Sequence, residues 1–311
     1  MPKISIIMLT YNRYNYLERA INSVLSQKDC DFELIIVNNG STDGSLELCK
    51  KYLRNDSRIK LVSLPRSSIG AGRNAGIACA EGDYISFVDD DDYMDEDMFS
   101  YLYGNACKYN VDISICGCYS DFGDRLAIYY VYDGLYTFDK LHGTEELLKR
   151  EKYNSANPCK LFRISLFSKV TYLENGKYDD IHTIYKLFTQ ADSVVVSGLP
   201  KYYFTKHATN NSGFIETNAL TPEQLKEYIN AFRDRTKYLS ENLPEIKDRA
   251  RYSEWSYMIS MIDKISQNNL SNCFGMLEFM KKQIQINMDE FSNSQFLTLR
   301  EKDLLNKYFN E

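Results

Sequence analysis

Apolar runs and polar turns alternate through the first hundred residues with a strand–helix rhythm. Residues 4–9 form a short bulky run, and the polar Thr10-Tyr-Asn-Arg-Tyr-Asn15 follows it. Leu17, Ala20, Ile21, Val24 and Leu25 then recur at helical spacing. Residues 32–37 give a second strand, 38–44 a turn dense in Asn, Gly, Ser and Asp, and 45–52 a helix. A third strand is expected at 59–64, a glycine-opened helix at 70–80, and a fourth strand at 84–88. Short apolar runs bounded by turn residues read as buried strands. Their alternation with helices predicts an α/β fold with a parallel, doubly wound sheet.

The rhythm loosens afterwards. A helix is expected at 98–109 and a strand at 112–119, whereas the aromatic stretch 121–141 yields no assignment. Residues 194–196 and 202–204 read as two short strands. Between them and the first half lie two distinctive segments, Asn157-Pro-Cys-Lys-Leu-Phe-Arg163 and the helix-like 178–188, which starts with Asp179 and Asp180. At Thr221-Pro-Glu-Gln224 a capping-box pattern opens a helical region that runs to the end. Three parts follow: 1–100 and 101–219 as two halves of one α/β domain, and 220–311 as a helical region without a catalytic cluster. Packing is the first reading of those helices; subunit pairing and contact with a membrane surface are the others.

One stretch changes this picture from architecture to chemistry. Residues 81–97 contain nine acids and no Lys or Arg, and Asp89 to Asp92 are consecutive. Like charges this dense repel, so something must offset them. If 84–88 is a buried strand, the acids stand at its carboxyl end, the edge where open α/β sheets bind ligands. A hard divalent cation takes oxygen ligands and shares them with substrate phosphates. That predicts a metal–diphosphate site; a solvated acidic turn is the plainer alternative. Gly70-x-Gly72-x-x-x-Gly76 resembles a dinucleotide motif but does not follow the first strand, and four acids in a row suit a metal better than a ribose. Its simpler role is a close backbone approach at a helix start. A dehalogenase-type phosphatase carries its Asp pair on the first strand, and here the acids lie on the fourth.

Composition narrows the classes. A net charge of −6 gives no indication of nucleic-acid binding. No run reaches the length of a membrane span, and residues 4–9 are too short for a secretory h-region, so a cytoplasmic protein is expected. The eight Cys are scattered; Cys116-Gly-Cys118 lacks a second pair at zinc spacing, and all eight read as reduced thiols.

In order along the chain, Ser5-Ile-Ile-Met-Leu-Thr-Tyr-Asn-Arg13, residues 16–27, residues 32–43, Gly72-Arg-Asn-Ala-Gly-Ile77 and Asp89-Asp-Asp-Asp92 resemble glycosyltransferase family 2, the inverting transferases of the GT-A fold. The resemblance runs to about Gly213. It implies a nucleotide-sugar donor, most naturally UDP-linked, and a Mn²⁺ or Mg²⁺ cofactor. It also implies a glycan, lipid-linked or wall-polymer acceptor. Tyr11 would stack on the base, with Thr10, Asn12 and Arg13 beside it. Asn39 stands where the family keeps a base-reading Asp, which leaves the base open; Asn can both donate and accept. Asp43 would hold the turn or nucleoside, and Arg73 would lie near nucleoside and diphosphate. Asp89, with Asp90 beside it, would approach ribose and metal, Asp91 would bind the cation, and His207 would be a third ligand or a diphosphate contact. In the pair Asp179-Asp180 the second acid would be the base, leaving Asp179 to cap the helix. Rivals from other classes are a nucleotidyltransferase acting on a sugar phosphate and an inactive nucleotide-binding module.

Overall fold

The computed structural model describes residues 3–176, 178–208, 210 and 219–309. Contacts divide the chain into two compact units, Met1–Lys206 and His207–Glu311.

The first unit begins with β1 (Ile4–Thr10), α1 (Tyr14–Leu25), β2 (Phe32–Asn39), α2 (Ser45–Asn55), β3 (Ile59–Leu64), α3 (Ile69–Ala78) and β4 (Tyr84–Asp89). These match the expected elements to within a few residues. β1 lies between β2 and β4, β3 flanks β2, and all three pairings are parallel. Parallel strands are buried on both faces, so nearly every residue of β1 and β2 is enclosed. The glycines of α3 do meet close neighbours. A Cβ on Gly72 would stand 2.3 Å from Leu9 Cδ1, and one on Gly76 2.5 Å from Ile7 Cγ2. Gly72 and Gly76 thus let α3 lie directly on β1 and carry Arg73 inward, while a Cβ on Gly70 would stand 2.0 Å from the Leu173 carbonyl oxygen.

Beyond β4 come β5 (Tyr93–Met94), α4 (Met98–Tyr109), β6 (Ile113–Asp121), β7 (Leu126–Tyr130), β8 (Leu135–Asp139), α5 (Lys140–Lys149), β9 (Lys160–Arg163), α6 (Asp179–Gln190) and β10 (Ser193–Thr205). Among the described residues ten strands form one sheet in the order β3-β2-β1-β4-β9-β6-β10-β5, with β7 on β6 and β8 on β10. This half is mixed. β9 runs antiparallel to both β4 and β6, while β10 is parallel to β6. The two short strands expected near 194 and 203 are one strand, β10, whose pairing shifts on either side of Pro200. β7 and β8 occupy the unassigned aromatic stretch. They are largely exposed edge strands, so burial imposes no hydrophobic alternation on them.

The second unit holds α7 (Pro222–Asn242), α8 (Lys247–Gln267), α9 (Phe274–Ile286), α10 (Met288–Ser292) and α11 (Leu299–Phe309). The capping box forms as expected: Thr221 Oγ1 accepts from Gln224 N–H at 3.3 Å, and Gln224 returns the bond to Thr221 N–H at 2.9 Å. Trp255, Met258, Met280 and Phe291 are buried in this unit. No helix among the described residues is long and apolar enough to cross a membrane.

Candidate active site

β4 delivers its acids to the carboxyl edge of the sheet, and the four take different surroundings. The Asp89 side chain keeps 40% exposure, whereas Asp90, Asp91 and Asp92 are buried. Asp92 is structural: it accepts from Tyr202 Oη at 2.8 Å and from Thr205 N–H at 2.7 Å, and Asp89 N–H donates to the same Tyr202 Oη at 3.1 Å. The local sequence has no cation here, but the fold brings three. Arg13 Nε lies 3.7 Å from Asp90 and 3.6 Å from Asp91. Arg19 donates to the Asp91 carbonyl at 2.8 Å, and Arg73 stands 3.8 Å from Asp89.

These cations do not neutralise the cluster. Burial, reinforced by the Asp91 charge, pushes Asp90 up to about 8. Burial lifts Asp89 to about 6, with Arg73 pulling down and Asp91 pushing up. Crowded carboxyl groups of this kind fit a hard divalent cation, whose charge would favour their ionised forms. No three His, Cys, Asp or Glu side chains among the described residues are grouped to hold an ion. One or two carboxylates can also share a cation with substrate phosphates.

The loop after β1 and the turn after β2 are stitched together. Thr10 ends β1 and is buried. Asn12, at φ 51°, donates its N–H to Ser41 Oγ and accepts Thr42 N–H at 2.8 Å. Arg13 N–H reaches Ser45 Oγ at 3.1 Å. Asp43 holds Tyr14 N–H at 3.1 Å and the Ser45 hydroxyl at 2.6 Å, so here it fastens the turn to the start of α1. Tyr11 N–H donates to Asp90 at 3.3 Å, and its ring is 40% exposed. The Arg66 guanidinium lies 3.7 Å from the centre of that ring. The Asn39 amide is engaged with Ser67: Oδ1 accepts the Ser67 N–H and hydroxyl at 2.9 and 2.7 Å, and Nδ2 donates to the Ser67 carbonyl at 2.9 Å.

Facing the acids is the start of α6. Asp179 does not cap this helix: Tyr178 occupies the cap position, without a side-chain bond. The Asp179 carboxylate instead accepts from Arg73 Nε at 2.6 Å, both groups being buried. A buried guanidinium with a carboxylate in reach outcompetes the exposed backbone groups of a helix end. Arg73 therefore spans from Asp89 on the acidic edge to Asp179 on the opposite wall. Asp180 follows, half-buried; burial and then the Asp179 charge raise it to about 7. A carboxylate at that value is poised to take a proton near neutrality. His207 belongs to the second unit, where its N–H donates to Asn210 Oδ1 at 2.6 Å and Nε2 lies 3.2 Å from Asn210 Nδ2.

Several contributors escaped the sequence reading. Asn74 clamps Tyr172, accepting its N–H and donating to its carbonyl, both at 2.9 Å. Tyr172 in turn hydrogen-bonds Asn157. Tyr202 and Arg66 carried no local signal, because their partners lie 110 and 55 positions away in the chain. The segment at 157–163 was distinctive, and its Lys160 proves to be buried.

Comparison with known proteins supplies the family. The model of glycosyl transferase family 2 matches residues 5–171. Glycosyltransferase GlyA of Streptococcus pneumoniae is 29% identical over 62% of this chain, which spans only 29% of that protein's length. Staphylococcus aureus TarS, residues 1–349 solved with UDP-GlcNAc, superposes with a TM-score of 0.67 at 18% identity, covering 93% of this chain and 89% of TarS. The mannosyltransferase PcManGT of Pyrobaculum calidifontis, solved with GDP-Man and Mn²⁺, gives 0.58 at 14% identity, covering 98% of this chain and 79% of its own. The matched segment holds the five motifs, the acidic cluster among them, and the chain belongs to glycosyl transferase family 2.

Proposed function

We propose that the protein is a metal-dependent inverting glycosyltransferase that moves a sugar from a UDP-sugar to a hydroxyl of a surface polysaccharide or related glycan. The observation that carries this reading is the Arg73 bridge, which sets the Asp89 carboxylate on one side and the Asp179–Asp180 pair on the other. A leaving diphosphate belongs on the first side and an acceptor hydroxyl on the second. TarS with UDP-GlcNAc and PcManGT with GDP-Man and Mn²⁺ support the substrate class and the cation.

Asp89 and Asp91 would hold Mn²⁺ or Mg²⁺, which when bound supplies Lewis acidity toward the diphosphate. Arg73 fixes Asp179 and keeps the wall of α6 in place. Asp180 accepts the proton of the acceptor hydroxyl as that oxygen forms its bond to the anomeric carbon. The bond to the diphosphate breaks on the opposite face, so configuration inverts. Tyr11 offers an aromatic face for the base. Asn39 sets Ser67 at the base edge rather than meeting the base with an open amide.

The test is a panel of UDP-, GDP- and dTDP-sugars, read as release of free nucleoside diphosphate with Mn²⁺ or with EDTA. We expect hydrolysis of a UDP-sugar that EDTA abolishes, and Mn²⁺-dependent binding that Asp91→Asn weakens. Calorimetry showing equal nucleotide affinity with and without the cation would remove the metal from this reading.

A further inference from the structure

The segment 157–163 supplies no group to the proposed reaction, yet it buries a charge. Lys160 opens β9, which lies between β4 and β6. Its carbonyl accepts from Ser86 Oγ at 2.8 Å, so the backbone here is fixed to β4, the strand that ends in the acids. The Lys160 side chain is 2% exposed. Among the described residues its ammonium donates to backbone carbonyls, of Ala156 at 2.5 Å and of Pro158 at 3.4 Å. Burial draws it below the ordinary lysine range, against neighbouring thiols and the Asp180 charge. An apolar side chain would fill this place without the cost of a buried charge, so the position uses the donors.

The two carbonyls that Lys160 holds flank Asn157. Cys159, at φ 68°, turns the chain left-handed beside them, a conformation that persists only where the surroundings enforce it. Asn157 is 1% exposed; its Oδ1 accepts from the Tyr172 hydroxyl, and its buried Nδ2 makes no hydrogen bond among the described residues. Its amide therefore has one side-chain contact, and the turn must aim it. Burial keeps the Tyr172 phenol protonated, so it is the donor in that contact. At its backbone Tyr172 is gripped by Asn74, the residue after Arg73 on α3. Its ring centre lies 5.8 Å from the Arg73 guanidinium and 5.5 Å from the Phe87 ring.

We propose that Lys160 is a positioning residue. It folds residues 156–158 around its ammonium, sets Asn157 against the Tyr172 hydroxyl, and through Tyr172 fixes one wall of the Arg73 socket. The role rests on the Arg73–Asp179 link being the bridge of the proposed transferase. If Tyr172 shifts, Arg73 shifts with it, and the start of α6 that carries Asp180 loses its anchor. Small misplacements of a reacting group cost rate rather than donor binding.

The test is a double-mutant cycle on the full chain. Tyr172→Phe keeps the ring and removes one oxygen; Lys160→Met keeps the length and removes the charge and donors. Each should lower kcat, counted per UDP-binding site, about tenfold with KM for the UDP-sugar unchanged. The double variant should be no slower than the slower single, because both cut one chain of contacts. Losses that multiply, a wild-type rate in Tyr172→Phe, or a loss confined to KM overturn the proposal. Lys160→Gln stands in if Lys160→Met does not fold. Urea unfolding of the same four proteins gives a second cycle that needs no turnover. If the wild type transfers no sugar, the transferase reading fails and this second cycle decides: stability losses that fall short of adding uphold the coupling of Lys160 to Tyr172, and additive losses overturn it.

Discussion

Residues 4–94 and residues 113–205 share one sheet but are built on different rules. In the first stretch, parallel strands are enclosed on both faces and their polar ends gather at one edge. In the second, antiparallel edges and exposed hairpin strands carry tyrosines that stack on one another, as Tyr93 does on Tyr203 across the boundary at 4.6 Å. The chemistry divides along the same line. The first stretch supplies the crowded carboxylates proposed to hold a cation, and the second supplies Asp180, the proposed base. Arg73, from the first, is the buried link to Asp179 of the second. On the proposed mechanism, the catalytic centre is assembled across the join, with rate on one side and ligand binding on the other.

The strongest challenge to that division is Asp180→Asn. It should lower the transfer rate about a thousandfold while leaving nucleotide and Mn²⁺ affinity near wild type, since a general base contributes about 10²–10⁴. A near-wild-type rate would place the base elsewhere. Next comes the link itself. Arg73→Met leaves Asp179 buried without its cation and should cost about 3–5 kcal/mol of stability, measured by urea denaturation.

A smaller effect tests the carboxyl through pH. With Asp180 as the proposed base and its carboxyl raised to about 7, the transfer rate should rise with pH below 7 and level off above it. The stability consequence has the opposite sign. Its folded value is raised, so its contribution is complete below the unfolded carboxylate range near 4 and is lost as pH rises through 7. Wild type should therefore lose stability relative to Asp180→Asn across that window. A rate flat from pH 5 to 8 counts against the assignment. The least effect is expected outside the α/β unit. Thr221→Ala removes a capping-box partner and should cost about 1 kcal/mol with the transfer rate unchanged; a rate loss without unfolding would give the helical unit a part in catalysis.

The acidic run, the glycine-opened helix and the succession of strands and helices over residues 4–89 were legible because each is a local pattern. A buried parallel strand must be apolar from end to end, and a helix lying on a strand needs glycines where backbone meets side chain. Thr221–Gln224 was legible for the same reason, since a capping box is complete within four residues. The strands at 126–130 and 135–139 were not, because exposed edge strands are under no burial constraint that writes a period into sequence. Asp179 shows the limit most clearly. Its position at a helix start predicted a cap, a role that local geometry can fill. Only the fold brings Arg73, 106 residues earlier, to within 2.6 Å of it. Residue types and short spacings fixed which chemistry the chain carries. Which carboxylate binds, which titrates near 7 and which merely holds an arginine depended on burial and on charges from distant segments, and those exist only once the chain has folded.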